Sequence, residues 1–173
     1  MELNLNRKKK ADIIIAIDPD VEKSGVALLD VEKRKLKVAS FPFPDLIDYF
    51  SHAKREYEIK HKCLIIVVEA GWLNNSNWHI GPRDTRAIAA AKGNATGRNQ
   101  ETGRKIIEMA RHIGLNVEEI KPLRKYWKGK DGKITPQELE SFTGFKGRSN
   151  QDGRDAALIA WVYAGLPIRI SHI

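Results

Sequence analysis

The sequence has a single cysteine, Cys63, among its 173 residues. One thiol forms no internal disulfide, and Cys63 lacks a CxxC partner for zinc, so we expect a buried free thiol. Long apolar runs are also absent, because the longest, residues 156–166, falls well short of the roughly 20 residues that span a bilayer. The first ten residues lack the apolar core of a signal peptide. We therefore expect a soluble, cytoplasmic protein with no membrane partner.

Acidic residues are in the minority. Thirty Lys and Arg against 22 Asp and Glu give a formal net charge of +8 and a pI near 9.6. The excess is concentrated in residues 1–10 (four basic, one acidic), 83–112 (seven and three) and 121–154 (nine and four). Such clustering is typical of a surface that follows a phosphate backbone, although a solvated basic face gives the same pattern.

The apolar pattern predicts five strands. Three short runs rich in apolar and β-branched residues come first and predict an antiparallel meander, at residues 12–18, 25–31 and 35–40. Residues 62–69, KCLIIVVE, contain six consecutive apolar residues and predict a central strand that is buried on both faces. A fifth strand is predicted over residues 116–120. The interpretation is an α/β fold with a mixed five-stranded sheet flanked by helices.

The helical segments frame these strands. Three- and four-residue apolar spacing predicts a helix from Pro44 to about Ile59. A second helix begins near Arg83, and the glycines of residues 92–103 predict a break or a close backbone contact before a helix resumes at Arg104. The last helix, over residues 152–164, is apolar all round, so it must be buried or paired. We interpret residues 11–173 as a single domain that follows a basic N-terminal tail, residues 1–10.

Four carboxylates occupy positions where an apolar element begins or ends: Asp18, Glu69, Asp152 and Asp155. Asp18 and Glu69 end strands, and the ends of neighbouring parallel strands meet at the rim where open α/β sheets hold ligands. Asp152 and Asp155 are three apart on a helix and face the same way. A shell made only of carboxylates favours hard ions such as Mg²⁺ or Mn²⁺.

Ordinary structural roles compete with this interpretation for three of the four carboxylates. Asp18, before Pro19, also suits a turn, while Asp152 and Asp155 also suit the N-terminus of a helix. Glu69 is different, because a Glu at the end of six apolar residues has no turn or capping role.

Three segments, IIIAIDPDVEKSGVALLD, IIVVEAGW and NQDGRDAALIAW, together resemble the RuvC-type Holliday-junction resolvases of the RNase H-like superfamily. The resemblance covers nearly the whole chain. It implies that Asp18, Glu69, Asp152 and Asp155, with Ala156 completing the DxxDA pattern, hold two Mg²⁺ or Mn²⁺ ions per active site. It also implies an endonuclease of DNA recombination and repair that acts as a homodimer on branched DNA, the four-way junction above all.

The resemblance extends to residues that would handle DNA. Trp72 lies where the family has an aromatic side chain that stacks on unpaired bases, although it also suits packing of its loop onto the core. Lys121 and Lys133 roughly match family lysines near the scissile phosphate. Arg98, Arg104 and the AxxxGxxxG spacing of residues 89–97 resemble the family helix that approaches DNA and a partner subunit.

Two departures leave the substrate open. The family usually has Gly where this chain has Asp20, which adds a carboxylate near the expected metals, and the basic tail is also unexpected. A nuclease of the same fold that cuts RNA:DNA hybrids or flap DNA therefore stays an alternative. So does a non-catalytic nucleic-acid-binding domain, although its expected sign, a lost carboxylate, is absent. A phosphotransferase agrees less well with the sequence, because the sequence has no GxxxxGK[ST] phosphate-binding loop.

Overall fold

A five-stranded mixed sheet forms the centre of the fold. The computed structural model describes residues 11–74 and 81–169. The strands, in the spatial order β3-β2-β1-β4-β5, are β1 (Ile13–Asp18), β2 (Ser24–Asp30), β3 (Lys35–Phe41), β4 (Leu64–Glu69) and β5 (Asn116–Ile120). β1, β2 and β3 pair antiparallel, whereas β4 runs parallel to both β1 and β5. The predicted fold class is confirmed. The basic tail, residues 1–10, and residues 75–80, in the segment that follows Trp72, lie outside the described residues.

Helices cover both faces of the sheet: α1 (Phe43–Ile59), α2 (Arg86–Ile113), α3 (Pro136–Thr143) and α4 (Gln151–Tyr163). Alternation along β1 assigns its side chains to two cores. Ile14 and Ala16 join the core with α3 and α4, while Ile13, Ile15 and Ile17 join the core with α1 and α2. Across the described ranges, no helix is both long and apolar enough to span a bilayer.

Of the two expectations for these glycines, the break is wrong, because α2 runs unbroken through Gly93 and Gly97. A close contact does occur at Gly103, where a Cβ would lie 2.9 Å from the Trp72 ring. A helical glycine costs about 1 kcal/mol relative to alanine. Caps at both ends offset this cost: the Thr85 side chain accepts a bond from the Ile88 N–H, and Gly114 ends the helix at a φ of 90°. The C-terminal half also packs into the core through residues that include Ile106 and Ala110.

Two further expectations concern burial. α4 was expected to be buried or paired, and it is buried within its own chain, with residues 156–161 in the core. Cys63 was expected to be buried, but it is exposed. The reason is that the predicted strand began at residue 62, whereas β4 begins at Leu64, so Cys63 lies just outside the sheet.

Candidate metal centre

The register of the two central strands brings the first two carboxylates to one rim. β1 and β4 are parallel neighbours, and Ile17 lies opposite Val68. Asp18 and Glu69 are the next residues of the two strands, so both follow a buried run at the same edge of the sheet. The prediction that Asp18 and Glu69 meet required β1 and β4 to be parallel neighbours, and the structure shows that they are.

Close contact between α4 and β2 positions the other two carboxylates. Gly25 pairs with Asp18 across the antiparallel strands, and a Cβ on Gly25 would lie only 2.0 Å from the backbone oxygen of Asp152. Asn150 fixes the start of α4: its side-chain oxygen accepts bonds from the Gly153 N–H at 2.9 Å and from the Ser40 hydroxyl of β3 at 3.0 Å. Because only glycine fits at position 25, the first turn of α4 can lie directly over the end of β1.

Three carboxylates converge as a result. One oxygen each from Asp18, Asp152 and Asp155 lies within 4.8 Å of the others. Glu69 is not part of this group of three, but it lines the same cavity of about 130 Å³ as Asp18 and Asp155. The structure therefore brings all four predicted carboxylates to one region, with three of them in mutual proximity.

Burial and mutual repulsion dominate the electrostatics here. Burial raises the pKa of Asp18 well above its ordinary value, and the neighbouring charges of Glu69, Asp155 and Asp152 raise it further. Burial and the charge of Asp155 likewise raise the pKa of Glu69. Burial also raises the pKa of Asp152, against the opposing effect of Lys133. The carboxylates thus form a site of concentrated negative charge, which a cation relieves.

One ammonium group offsets part of this charge. Lys133 Nζ lies 3.1 Å from Asp155 Oδ2, and both side chains are largely shielded from solvent. Burial alone would lower the pKa of Lys133, but the ion pair with Asp155 raises it. The Gln151 side-chain amide donates to Asp155 Oδ1 at 2.8 Å and holds that carboxylate from the other side.

The chemistry of the group fits a hard divalent cation. Every candidate ligand is a carboxylate oxygen, the donor that Mg²⁺ and Mn²⁺ prefer. Two oxygens on opposite sides of one Mg²⁺ lie about 4.2 Å apart, so small side-chain adjustments would bring these three oxygens into one coordination shell. Asp18, Asp152 and Asp155 would hold the ion, and Glu69 lines the same cavity.

Asp20, the carboxylate that replaces the family glycine, has a local role. Its Oδ1 accepts the backbone N–H groups of Glu22 at 2.9 Å and Lys23 at 3.4 Å, and Ser24 bonds to its main chain. Asp20 lies close enough for its charge to raise the pKa of Asp152. The turn between β1 and β2 is therefore closed by the Asp20 side chain.

The predicted basic residues separate into two groups. Lys133 lines the cavity of the carboxylates, whereas Lys121, just after β5, is exposed and is not among the residues that line it. Sequence reasoning missed Lys125, which lines the cavity and whose charge lowers the pKa of Glu69. The only sequence signal for Lys125 was its place in a basic loop. Arg98 and Arg104 are exposed on α2.

Trp72 packs onto α2. It is half-buried, and a Cβ on Gly103 would lie 2.9 Å from the indole ring. The indole N–H donates to Glu119 Oε2 at 3.3 Å, and the Arg104 guanidinium lies 5.1 Å from the ring centroid. These contacts are those expected for the packing role, and base stacking by Trp72 stays a prediction.

We expect Trp72→Ala to lower the free energy of unfolding by about 2 kcal/mol, less than the 3–5 kcal/mol of a fully buried aromatic residue. Any activities should fall together with stability. Trp72→Phe, which keeps a ring but loses the N–H bond to Glu119, should lose about 1 kcal/mol. Thermal melts of the three proteins check this. An unchanged melting temperature, with a loss confined to junction substrates, would restore the base-stacking role.

Strand order and site together define an RNase H-like fold with a carboxylate centre at the end of β1. No protein-family model and no curated protein matches the sequence. Among solved structures, Thermus thermophilus RuvC in complex with Holliday-junction substrate is similar, with a TM-score of 0.50, 13% identity, and coverage of 88% of this chain and 92% of that one. This likeness confirms, at the level of the fold, the RuvC-type resemblance predicted from the sequence.

Two other solved structures are similar at lower scores. A second Thermus thermophilus RuvC structure has a TM-score of 0.46 and 16% identity, and covers 88% of this chain and 96% of that one. Fowlpox virus resolvase with substrate Holliday-junction DNA has a TM-score of 0.45 and 12% identity, and covers 88% and 97%.

Proposed function

We propose that this protein is a divalent-metal-dependent endonuclease that cuts branched DNA, with the four-way junction as its preferred substrate. The observation that carries the proposal is the convergence of Asp18, Asp152 and Asp155 beside Glu69 in a RuvC-like fold. The similar Thermus thermophilus RuvC is solved with a Holliday junction, which favours that substrate. Binding of DNA also agrees with the net charge of +8 and with the cytoplasmic location predicted from the sequence.

In this proposal the carboxylates hold two ions, Mg²⁺ or Mn²⁺. Divalent ions bound there lower the pKa of an attacking water and stabilise charge on the leaving oxygen. Asp18 pairs with Gly25 of β2 and directly follows Ile17, which pairs with Val68 of β4, so the sheet supplies this ligand. Gln151 orients Asp155, and the lysines that line the cavity, Lys125 and Lys133, bind phosphate oxygens of the strand to be cut.

A homodimer suits a junction that is nearly two-fold symmetric and needs two symmetric cuts. Of the two interface surfaces considered from the sequence, α4 is occupied within its own chain. The N-terminal half of α2 stays available, because its small residues up to Gly97 are largely exposed and Ile88 is 45% exposed. We therefore assign the subunit contact to this half of α2.

A substrate panel tests the function. A synthetic four-way junction is compared with matched duplex, flap and RNA:DNA hybrid substrates, each with Mg²⁺ and with EDTA. We expect paired, symmetric cuts in the junction with Mg²⁺ only, leaving 5′-phosphate and 3′-hydroxyl ends. Preferential cleavage of the hybrid or flap would assign another substrate to the same site. Tight junction binding with no cleavage in Mg²⁺ or Mn²⁺ would favour a non-catalytic domain.

A further inference from the structure

The loop between β5 and α3 carries most of the positive charge near the carboxylates. Residues 121–133 contain six basic residues and one acidic residue. Residues 123–125 and 132–134 line the cavity shared by Asp18 and Glu69. A nucleic-acid strand that enters this cavity therefore passes along the loop, where charge attraction holds its phosphates.

Internal hydrogen bonds hold the loop in one conformation. The Trp127 N–H donates to the Gly132 carbonyl, and the Gly129 N–H to the Lys133 carbonyl, both at 3.0 Å. Glu138, which is 8% exposed, accepts the Lys128 N–H at 3.1 Å and ties the loop to the start of α3. The loop is therefore shaped before a ligand arrives, which reduces the entropy lost on binding.

Tyr126 lies at the top of this loop with its ring open to solvent. It is 67% exposed, and among the described residues it is the only aromatic residue in the set of exposed large apolar side chains. Its ring stacks on buried Trp127, with centroids 4.9 Å apart and planes inclined by 22°. Trp127 in turn stacks on Phe142, so the inner face of Tyr126 rests on the core and its orientation is fixed.

The position of Tyr126 relates this ring to the cavity. Its chain neighbours on both sides, Lys125 and Trp127, line the cavity of the carboxylates, so the Tyr126 backbone lies at its rim. The Tyr126 ring packs on Trp127 with one face, exposes the other, and lies within a basic loop. Proteins bind single-stranded nucleic acid in this way: bases stack on exposed aromatic rings, and basic side chains bind the phosphates.

We propose that Tyr126 is a stacking platform for one unpaired DNA base next to the site of cleavage. The proposal rests on the proposed function for its substrate and adds a positioning residue to it. With a base stacked on Tyr126, the adjoining phosphates lie along Lys125 and the cavity, which holds the strand in register with the carboxylates. Trp72 does not offer the same surface, because its ring packs on α2.

Binding measured in EDTA tests this proposal without any need for cleavage. The probe is a short single-stranded DNA oligonucleotide with one 2-aminopurine, whose fluorescence falls when it stacks. We expect Tyr126→Ala to weaken binding about 5- to 140-fold and to abolish the quenching, since one stacked base contributes that much. Tyr126→Phe, the matched control, keeps the ring and should bind as the parent does. Affinity for blunt duplex should be the same for all three proteins.

The other outcomes overturn the proposal in distinct ways. Equal affinity and quenching for the alanine variant and the parent, or no binding of the oligonucleotide by the parent, would exclude a stacking platform. A lower melting temperature with unchanged binding would show that Tyr126 only covers Trp127. If sedimentation showed that Tyr126→Ala changes the subunit assembly, Tyr126 would be a contact between subunits instead. If the parent binds the oligonucleotide but leaves the four-way junction intact in Mg²⁺, the proposed function fails and the stacking platform stands.

Discussion

Asp18→Asn should lower the cleavage rate at least about a thousand-fold, while DNA binding stays intact or becomes tighter. The substitution removes one negative charge from the group of carboxylates that we propose to hold the cations, and it leaves the basic surface unchanged. Glu69→Gln should have the same effect. Cleavage rates and binding curves on one four-way junction measure both consequences. Cleavage retained in both variants would refute the metal assignment.

The neighbouring carboxylate provides a matched control. Asp20→Asn keeps an oxygen that can accept the turn hydrogen bonds of Glu22 and Lys23, so cleavage should be retained. Thermal melts give a readout that is independent of activity. Mg²⁺ at about 100 times its Kd should stabilise the parent by about 2.7 kcal/mol, and Asp18→Asn far less. In EDTA, Asp18→Asn should be at least as stable as the parent, because it removes the charge whose burial, together with repulsion from the neighbouring carboxylates, raises the pKa of Asp18.

Gly25→Ala should damage stability and activity together. The added Cβ would lie 2.0 Å from the backbone oxygen of Asp152, so β2 or the first turn of α4 must move. We expect a loss of about 3 kcal/mol in the free energy of unfolding, the upper end for overpacked sites. Displacing Asp152 and Asp155 by about 1 Å should also reduce cleavage about a hundred-fold. Denaturant unfolding and junction cleavage measure the two effects.

Gly97→Ala is the comparison for stability. Gly97 is also glycine in a regular element, but no heavy atom lies within 4 Å of where its Cβ would be. Because Gly97 ends the part of α2 that we assign to the subunit contact, the comparison is made at concentrations where the chain is monomeric, and alanine there should stabilise α2 by up to about 1 kcal/mol. Wild-type stability and cleavage in Gly25→Ala would show that α4 does not depend on this contact.

Local sequence predicted the elements well where one physical rule dominated. Of the six consecutive apolar residues in the segment 62–69, the five at 64–68 are buried in β4, as a strand covered on both faces requires. The T-x-x-E pattern of Thr135 and Glu138 is typical of a helix start, and the two residues form a capping box at the start of α3. The same reasoning failed at α2, since glycine propensity is a weak local effect and caps and core packing outweighed it.

The sequence by itself determined which carboxylates are candidates for the chemistry. Residue type and position singled out Glu69, which has no turn or capping role, whereas Asp18, Asp152 and Asp155 also suit ordinary structural roles. Sequence periodicity also determined the fold class, because burial patterns of strands and helices are local properties.

Only the tertiary structure decided how those residues meet and which neighbours assist them. Spatial proximity depends on strand register and on close backbone contacts, such as Gly25 against Asp152, and neither is a local property of the chain. The same holds for the two aromatic side chains, since Trp72 and Tyr126 both lie in polar loops. Packing against α2 half-buries Trp72, while stacking on Trp127 leaves the outer face of Tyr126 in solvent.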